Sequence, residues 1–250
     1  MLREHETSDK FCLGCENQKH NLSEVWQLPH QKEWHNSQGK QRYRCQMKTC
    51  GRQFLFCLDY TYHACNPLYR QLIVPMTLNG SGVHDIARVL HISPTTVLGV
   101  LREAAARIPE PRLPKRILAL EMDEQWSFVQ NKGQQCWLWY GLNRHTGYIP
   151  VFVLGRRTDA SCRKLCRKLA SCDVRHFATD DWQSYGKTLD SKRHHIGKGG
   201  TQNIERKNLN FRTHLKRLQR RTICFSKSLD MHQAVIKLYI HALNSNQHHF

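Results

Sequence analysis

The sequence predicts an α/β fold preceded by two small amino-terminal modules, and three observations carry that reading. Residues 1–60 concentrate Cys, His, Gln and Lys and contain few aliphatic residues. Residues 66–108 place apolar side chains at helical spacing. The stretch that follows, with Pro109, Pro111 and Pro114, cannot be helical and reads as a short stiff linker. From Lys115 onward, strand-like runs alternate with helical ones, the mark of an α/β domain. The predicted division is therefore a metal-binding module over 1–60, a helical module over 66–108 and an α/β domain over 115–250.

Within the last segment, Ile117–Val129, Cys136–Leu142 and Tyr148–Leu154 read as three strands. The last two are joined by a turn over Asn143–Gly147. Asp159–Ala170 reads as a helix capped by Thr158 or Asp159, and Val174–Thr179 as a fourth strand. Arg193–Ile196 is a candidate fifth strand, and Asn203–Gln219 and Ser226–Asn244 are two long closing helices. Three strands, a helix, a strand and then a helix is the order of a ribonuclease H-like domain.

The charge narrows the partner. The 250 residues hold 38 Lys and Arg against 20 Asp and Glu, a net charge of +18. Such an excess favours a polyanion, because each phosphate contact releases condensed counterions. No apolar run approaches transmembrane length, and Met1–Lys10 is too polar for a signal peptide, so a membrane role is not expected. The expected setting is the cytoplasm, in association with nucleic acid. Eleven cysteines without a secretion signal argue for metal ligands and reduced thiols rather than disulfides.

The cysteine positions sort them. Cys12 and Cys15 form a Cys-x-x-Cys knuckle, and Cys45 and Cys50 follow after 29 intervening residues. Four thiolates suit a closed structural zinc site, and a segment so poor in aliphatic mass needs metal to fold. This is the expected zinc-ribbon-like module, with His30, His35 or Cys57 able to replace a ligand; reduced thiols in a partly disordered arm are the alternative. Cys136, Cys162, Cys166, Cys172 and Cys224 are expected to act as small core hydrophobes.

Residues 66–108 read as a helix-turn-helix. Asn66 and Pro67 start a helix with Leu68, Leu72 and Met76 on one face, which Pro75 is expected to kink or shorten. Val83, Ile86, Ala87 and Leu90 make an amphipathic stripe, and His91–Ser93 make a turn. A second helix from Ser93-Pro94 then turns Val97 and Leu101 inward and exposes Thr95, Thr96 and Arg102, the candidate DNA contacts. An ordinary helical hairpin is the competing reading.

The carboxylates carry the chemistry. Ser191–Phe250 holds twelve Lys and Arg but only two acids, Glu205 and Asp230. On the helix over 203–219, Ile204, Phe211, Leu215 and Leu218 form the buried stripe. Glu205, Leu209, Arg212 and Lys216 form the adjoining edge. Arg206, Arg212 and Lys216 are candidate DNA contacts there. Ala119, Glu121 and Asp123 point to one side of the first strand, and Met122 and Glu124 to the other. Asp180 and Asp181 end the fourth strand. Hard carboxylate oxygens at strand ends suit magnesium or manganese and metal-assisted phosphoryl transfer. Pairing with nearby cations is the alternative for each acid taken singly.

Three blocks make the trio recognisable: Glu121-Met122-Asp123-Glu124-Gln125-Trp126, Thr179-Asp180-Asp181-Trp182 and Ile204-Glu205-Arg206-Lys207-Asn208-Leu209-Asn210. With Arg212–Leu218 and Phe225–Ser228 downstream, they resemble the catalytic blocks of the insertion sequence 1 family of bacterial transposases. The resemblance is strong over about 116–240; Gln41–Cys45 and Asn79-Gly80 extend it more weakly. It implies a catalytic triad of Asp123, Asp180 and Glu205 holding two divalent ions, with Arg212 a basic DNA-contacting residue. Asp181 stands where the family usually has glycine, so the choice of Asp180 rests on the alignment.

The expectation is therefore a metal-dependent DNA transposase. It would bind the terminal inverted repeats of an insertion sequence, cut each end, and join the freed 3′-hydroxyl to target double-stranded DNA. Holding two ends together implies a homo-oligomer. A repressor that only binds DNA, and a hydrolytic nuclease of the same fold, are the competing classes.

Overall fold

The computed structural model describes residues 30–35, 37, 41–45, 53–55 and 63–245, in two compact units, Met1–Cys65 and Asn66–Phe250. In the first unit β1 (His30–His35), β2 (Gln41–Cys45) and β3 (Gln53–Leu55) pair antiparallel in that order. In the backbone register Tyr43 pairs with Lys32 in one ladder and with Phe54 in the other. Cys12, Cys15, Cys50 and Cys57 lie outside the described residues, as does the side chain of Cys45 at the end of β2, so the expected zinc set lies outside them too.

The second unit opens with three helices that pack on one another: α1 (Pro67–Leu78), α2 (Val83–Leu90) and α3 (Pro94–Arg107). Asn66 caps α1 by accepting from the Leu68 amide at 2.9 Å. Pro75 neither ends nor shortens the helix, which runs on to Leu78. The expected inward stripe of α1 is also corrected. Leu68 and Leu72 are exposed, and Ile73 and Thr77 are buried instead. Apolar residues are available on either face, and the face that packs is the one where Thr77 satisfies its hydroxyl on the Ile73 carbonyl, 2.8 Å away. In α2, Ile86, Ala87 and Leu90 are buried as expected, and His91 ends the helix at φ 52°. Ser93 caps α3 by accepting from the Thr96 amide at 3.0 Å, and Val97, Val100, Leu101 and Ala105 fill the interior.

The five-stranded sheet is ordered β6-β5-β4-β7-β8, with β4 (Arg116–Val129), β5 (Asn131–Asn143), β6 (Val151–Gly155), β7 (Asp173–Thr179) and β8 (His194–Ile196). The first three pair antiparallel, and β7 and β8 continue parallel from β4. This mixed order is the predicted α/β topology. The strand predicted over Cys136–Leu142 starts five residues earlier, at Asn131, because the polar run before Cys136 forms the exposed half of a hairpin that turns at Gln130, φ 64°. The Asn143–Gly147 turn is as expected, with Gly147 in the left-handed region at φ 68°.

Helix α4 (Asp159–Lys168) packs on β5 and β6, and a short α5 (Gln183–Thr188) follows β7. Helix α6 (Gln202–His214) packs on β4, and α7 (Leu229–Asn244), capped by Ser228, packs on α3 and α1. The helix predicted to reach Gln219 stops at His214. Leu215 is extended, and a single 3-10 turn, Lys216–Leu218, follows. A Cβ at Gly80 would lie 3.8 Å from the Thr213 carbonyl oxygen, so the turn between α1 and α2 abuts the end of α6. Leu215 and Leu218 are still buried.

Side chains alternate across the sheet. On one face Leu120, Met122, Trp139, Val151 and Val153 pack with Cys162 and Leu165 of α4 and Tyr185 of α5. On the other, Tyr140 meets Phe211 of α6 at 5.5 Å between ring centroids, and Phe211 meets Tyr239 of α7 at 4.8 Å. Burying each such aromatic contributes roughly 1.5–3 kcal/mol. Among the other cysteines Cys136 and Cys162 are buried as expected, whereas Cys166, Cys172 and Cys224 are only half-buried. Among the described residues no helix is long and apolar enough to cross a membrane.

Candidate active site where two parallel strands part

The pairing of β4 with β7 brings the first two acids together. Their last paired positions are Glu121 and Ala178; Asp123 and Asp180 each lie two residues further along. One carboxylate oxygen from each of Asp123, Glu124 and Asp180 lies within 4.8 Å of the others. The Asp123 and Asp180 oxygens, brought together where the β4–β7 pairing stops, are hard donors that suit a divalent cation. Asp180 is exposed and accepts from the Trp182 amide at 3.2 Å, so the loop after β7 holds it in place.

Asp123 and Glu124 leave β4 toward opposite faces and meet different partners. Oδ1 of Asp123 accepts from the Glu124 amide at 2.7 Å, and Oδ2 accepts from the side-chain amide of Asn208, on α6, at 2.6 Å. Burial raises the Asp123 carboxyl to about 6, aided by the charges of Asp180 and Glu205 and opposed by the two hydrogen bonds. Glu124 has both oxygens engaged. Arg157 Nη2 lies 2.6 Å from Oε1, and the Tyr185 hydroxyl donates to Oε2 at 2.9 Å. Burial pushes Glu124 up to about 7 against those two partners. The Arg157 guanidinium itself sits 5.0 Å and 4.9 Å from the ring centres of Trp137 and Trp182, so the pair is walled off on that side.

Glu205 lies in the first turn of α6, where its Oε1 accepts from Thr201 at 3.1 Å. It stands outside the three-carboxylate cluster but acts on Asp123 through its charge. Of the three predicted acids, Asp123 and Asp180 therefore meet directly, and Glu205 faces them from α6. Asp181 is exposed and is not one of the clustered acids.

The predicted DNA contacts divide. Thr95 and Arg206 are exposed, while Thr96 is half-buried with its hydroxyl 2.9 Å from Ser93 Oγ. Arg212 is half-buried on α6 beside a shallow hollow shared with Leu209 and Arg220. Arg102 is engaged by Asp230 at the start of α7, at 3.2 Å. Lys216 lies beyond the end of α6 and pairs with Asp85 of α2 at 2.9 Å, so it does not continue the Glu205 edge as expected. His194 Nε2 lies 2.7 Å from Thr179 Oγ1, and His195 meets His176 at 3.1 Å.

Sequence reasoning missed Glu124, Arg157, Tyr185 and Asn208. The strand alternation that separates Asp123 from Glu124 was visible; the partners, 33 to 85 residues away, were not.

Two family models match the chain. Residues 116–249 match the family model described as IS1 transposase, and residues 60–105 match the one described as InsA C-terminal domain. The first spans β4 to α7, and the second spans α1, α2 and most of α3. The chain is 47% identical over 123 residues to the insertion element iso-IS1n protein InsB of Shigella dysenteriae, covering 49% of this chain and 94% of that protein. It is 44% identical over 124 residues to the insertion element IS1 4 protein InsB of Escherichia coli (strain K12), covering 50% and 74%. Among solved structures, a chain of a simian T-cell lymphotropic virus intasome in complex with PP2A regulatory subunit B56 gamma aligns at 15% identity and a TM-score of 0.31. That alignment covers 56% of this chain and 57% of the other.

Proposed function

Because this chain belongs to the IS1 transposase family, we propose that it binds the terminal inverted repeats of an insertion sequence and cuts and joins DNA with Asp123, Asp180 and Glu205. The observation that carries the assignment is the meeting of Asp123, midway along β4, with Asp180, just past the end of β7, while Glu205 acts on Asp123 from the start of α6. The family is one of divalent-metal phosphoryl transferases, and magnesium is the cation proposed here, with manganese as its substitute. Asp123, Asp180 and Glu205 would hold it, while Glu124, with both oxygens engaged, supports Asp123 from behind. When bound, the cation polarises the phosphoryl oxygens and lowers the pKa of the attacking hydroxyl.

The residues themselves do the rest. Asp123 is half-buried and held by the Asn208 amide, with one carboxylate oxygen within 4.8 Å of one from Asp180. Water attacks the phosphorus at the element's end, and the 3′-oxygen leaves with a proton. The freed 3′-hydroxyl then attacks a phosphorus of target DNA and displaces a 3′-oxygen there. No covalent enzyme intermediate is required. Arg206 and Arg212, on the same helix as Glu205, are placed to hold the phosphate backbone.

The remaining assignments belong to the same proposal. Residues 66–108 read the terminal repeats through the amino-terminal end of α3, residues 1–60 form a zinc-stabilised module on Cys12, Cys15, Cys45 and Cys50, and residues 115–250 are catalytic. Two ends are held by a homo-oligomer, on the bacterial nucleoid in the cytoplasm. The test incubates the purified chain with labelled double-stranded DNA carrying the flanking terminal repeats and magnesium. Nicked and joined products are expected. Nicks without joining would mark a nuclease, and binding without cleavage a repressor; either would overturn the reading.

A further inference from the structure

Helix α6 has to deliver Glu205 to acids on two strands, and two buried contacts to β4 determine where it sits. The first is at its end. Glu121, fully buried, accepts from the Ile204 amide at 2.8 Å through Oε2 and from the Asn203 side chain at 2.9 Å through Oε1. The Ile204 amide is one of the first-turn donors that a helix leaves without a partner, and a carboxylate is favoured there by the helix dipole. The residue so tethered immediately precedes Glu205.

The second contact lies one turn along. Asn208 is three residues after Glu205, hence on the same side of the helix. Its amide donates to Asp123 at 2.6 Å, while its Oδ1 accepts from the Tyr140 hydroxyl at 2.9 Å. An asparagine amide can present either end. The Tyr140 hydroxyl, also 3.2 Å from the Ile204 carbonyl oxygen, meets the Oδ1 side, and turning the NH2 toward the Asp123 carboxylate gives both ends of the amide a partner. One contact fixes the helix along its axis and the other fixes its rotation; β4 supplies both partners, from positions two residues apart. Burying a carboxylate and an amide is costly unless they are hydrogen-bonded, and here both are.

We infer that Glu121 and Asn208 are positioning residues that register Glu205 against Asp123, with Tyr140 orienting the Asn208 amide. This rests on the proposed assignment of Asp123 and Glu205 to the active site.

The experiment uses the full chain and four variants: Asn208→Ala, Tyr140→Phe, Glu121→Gln and Asp123→Asn. Three quantities are read from each: Mn2+ affinity from the free-ion electron paramagnetic resonance signal, kcat and KM for cleavage of terminal-repeat DNA, and Tm. Asn208→Ala is expected to weaken Mn2+ binding by about 10- to 100-fold, the usual effect of removing a partner of a metal ligand. Its kcat should fall in parallel while KM for DNA stays unchanged. Glu121→Gln, which keeps one acceptor for the Ile204 amide, should retain more of both than Asn208→Ala. Tyr140→Phe keeps the ring against Phe211 and should show the same pattern as Asn208→Ala, more weakly; it decides the matter if Asn208→Ala does not fold. Mn2+ affinity and kcat within two-fold of wild type in Tyr140→Phe and in whichever of the other two positioning variants folds, while Asp123→Asn loses both, would overturn the positioning role. Full activity and Mn2+ binding in Asp123→Asn would instead overturn the assignment beneath it.

Discussion

Asp123 and Glu124 are adjacent in β4, the first half-buried and the second buried, yet they have been given different surroundings. Asp123 is held by neutral donors, the Glu124 amide and Asn208, and faces two like charges, Asp180 and Glu205. Glu124 has a cation on one oxygen and a phenol on the other. A carboxylate with neutral donors and anionic neighbours keeps lone pairs free and has charge to give to a cation. One matched by arginine has already spent it. The difference between a candidate ligand and a structural acid is therefore set by what lies across the sheet from each, α6 for Asp123 and the α4–α5 side for Glu124.

The largest expected effect follows from that contrast. Asp123→Asn or Glu205→Gln should reduce end cleavage by about 1,000-fold or more, about 4 kcal/mol of barrier. Glu124→Gln should cost only about 10-fold to 100-fold, as expected of a supporting residue. Equal losses at 123 and 124 in a cleavage time course would erase the distinction.

Stability should move the other way. Without metal at pH 8, Asp123→Asn should stabilise the fold by about 1–3 kcal/mol, because it removes a charge that burial and like neighbours disfavour. Glu124→Gln also removes a charge that burial disfavours, but it leaves Arg157 between two indoles without its carboxylate, so it should stabilise less than Asp123→Asn. Denaturant unfolding of both variants reads the difference directly.

The pH dependence separates two kinds of buried group further. The Asp123 carboxyl is raised to about 6, so the unfolded chain ionises first, and its contribution to stability is lost as pH rises from about 4 through 6. Magnesium should therefore raise Tm more at pH 8 than at pH 5. His232 runs the opposite way. It is fully buried between Ser127 and Ser226, and burial, then Arg217, lowers it to about 3. The unfolded chain takes up the proton below about 6.5, so the stability it contributes is present above that pH and is lost at up to about 1.4 kcal/mol per unit as pH falls toward 3. His232→Gln should flatten the acid limb of a Tm–pH profile and leave the magnesium effect untouched.

The smallest effect belongs to the pairs that join the helix-turn-helix to the rest of its unit. Arg102 and Asp230 are both half-exposed or more, so Asp230→Ala should change stability by less than about 1 kcal/mol. DNA affinity should rise slightly if Arg102 is then free for phosphate.

How much of this was legible in the sequence depends on the range of the interaction. Patterns that repeat locally were readable: the α2 stripe, the caps at Asn66 and Ser93, the strand over Ile117–Val129 and the acids along it. What failed was decided at a distance. Leu68 and Leu72 offered as good a stripe as Ile73 and Thr77, and only packing chose between them. Nothing within Asn203–Gln219 announces a stop at His214, which lies against the turn between α1 and α2. Glu121 was seen to share a side with Asp123. That it holds the start of α6 required Asn203 and Ile204 to arrive from 82 and 83 residues away.

The most direct test is anomalous diffraction from crystals of the full chain grown with Mn2+. A peak bound by Asp123 and Asp180, with the Arg157–Glu124 pair intact, is the predicted result. A peak on Glu124 with Arg157 displaced, or one remote from Asp123 and Asp180, would contradict the assignment.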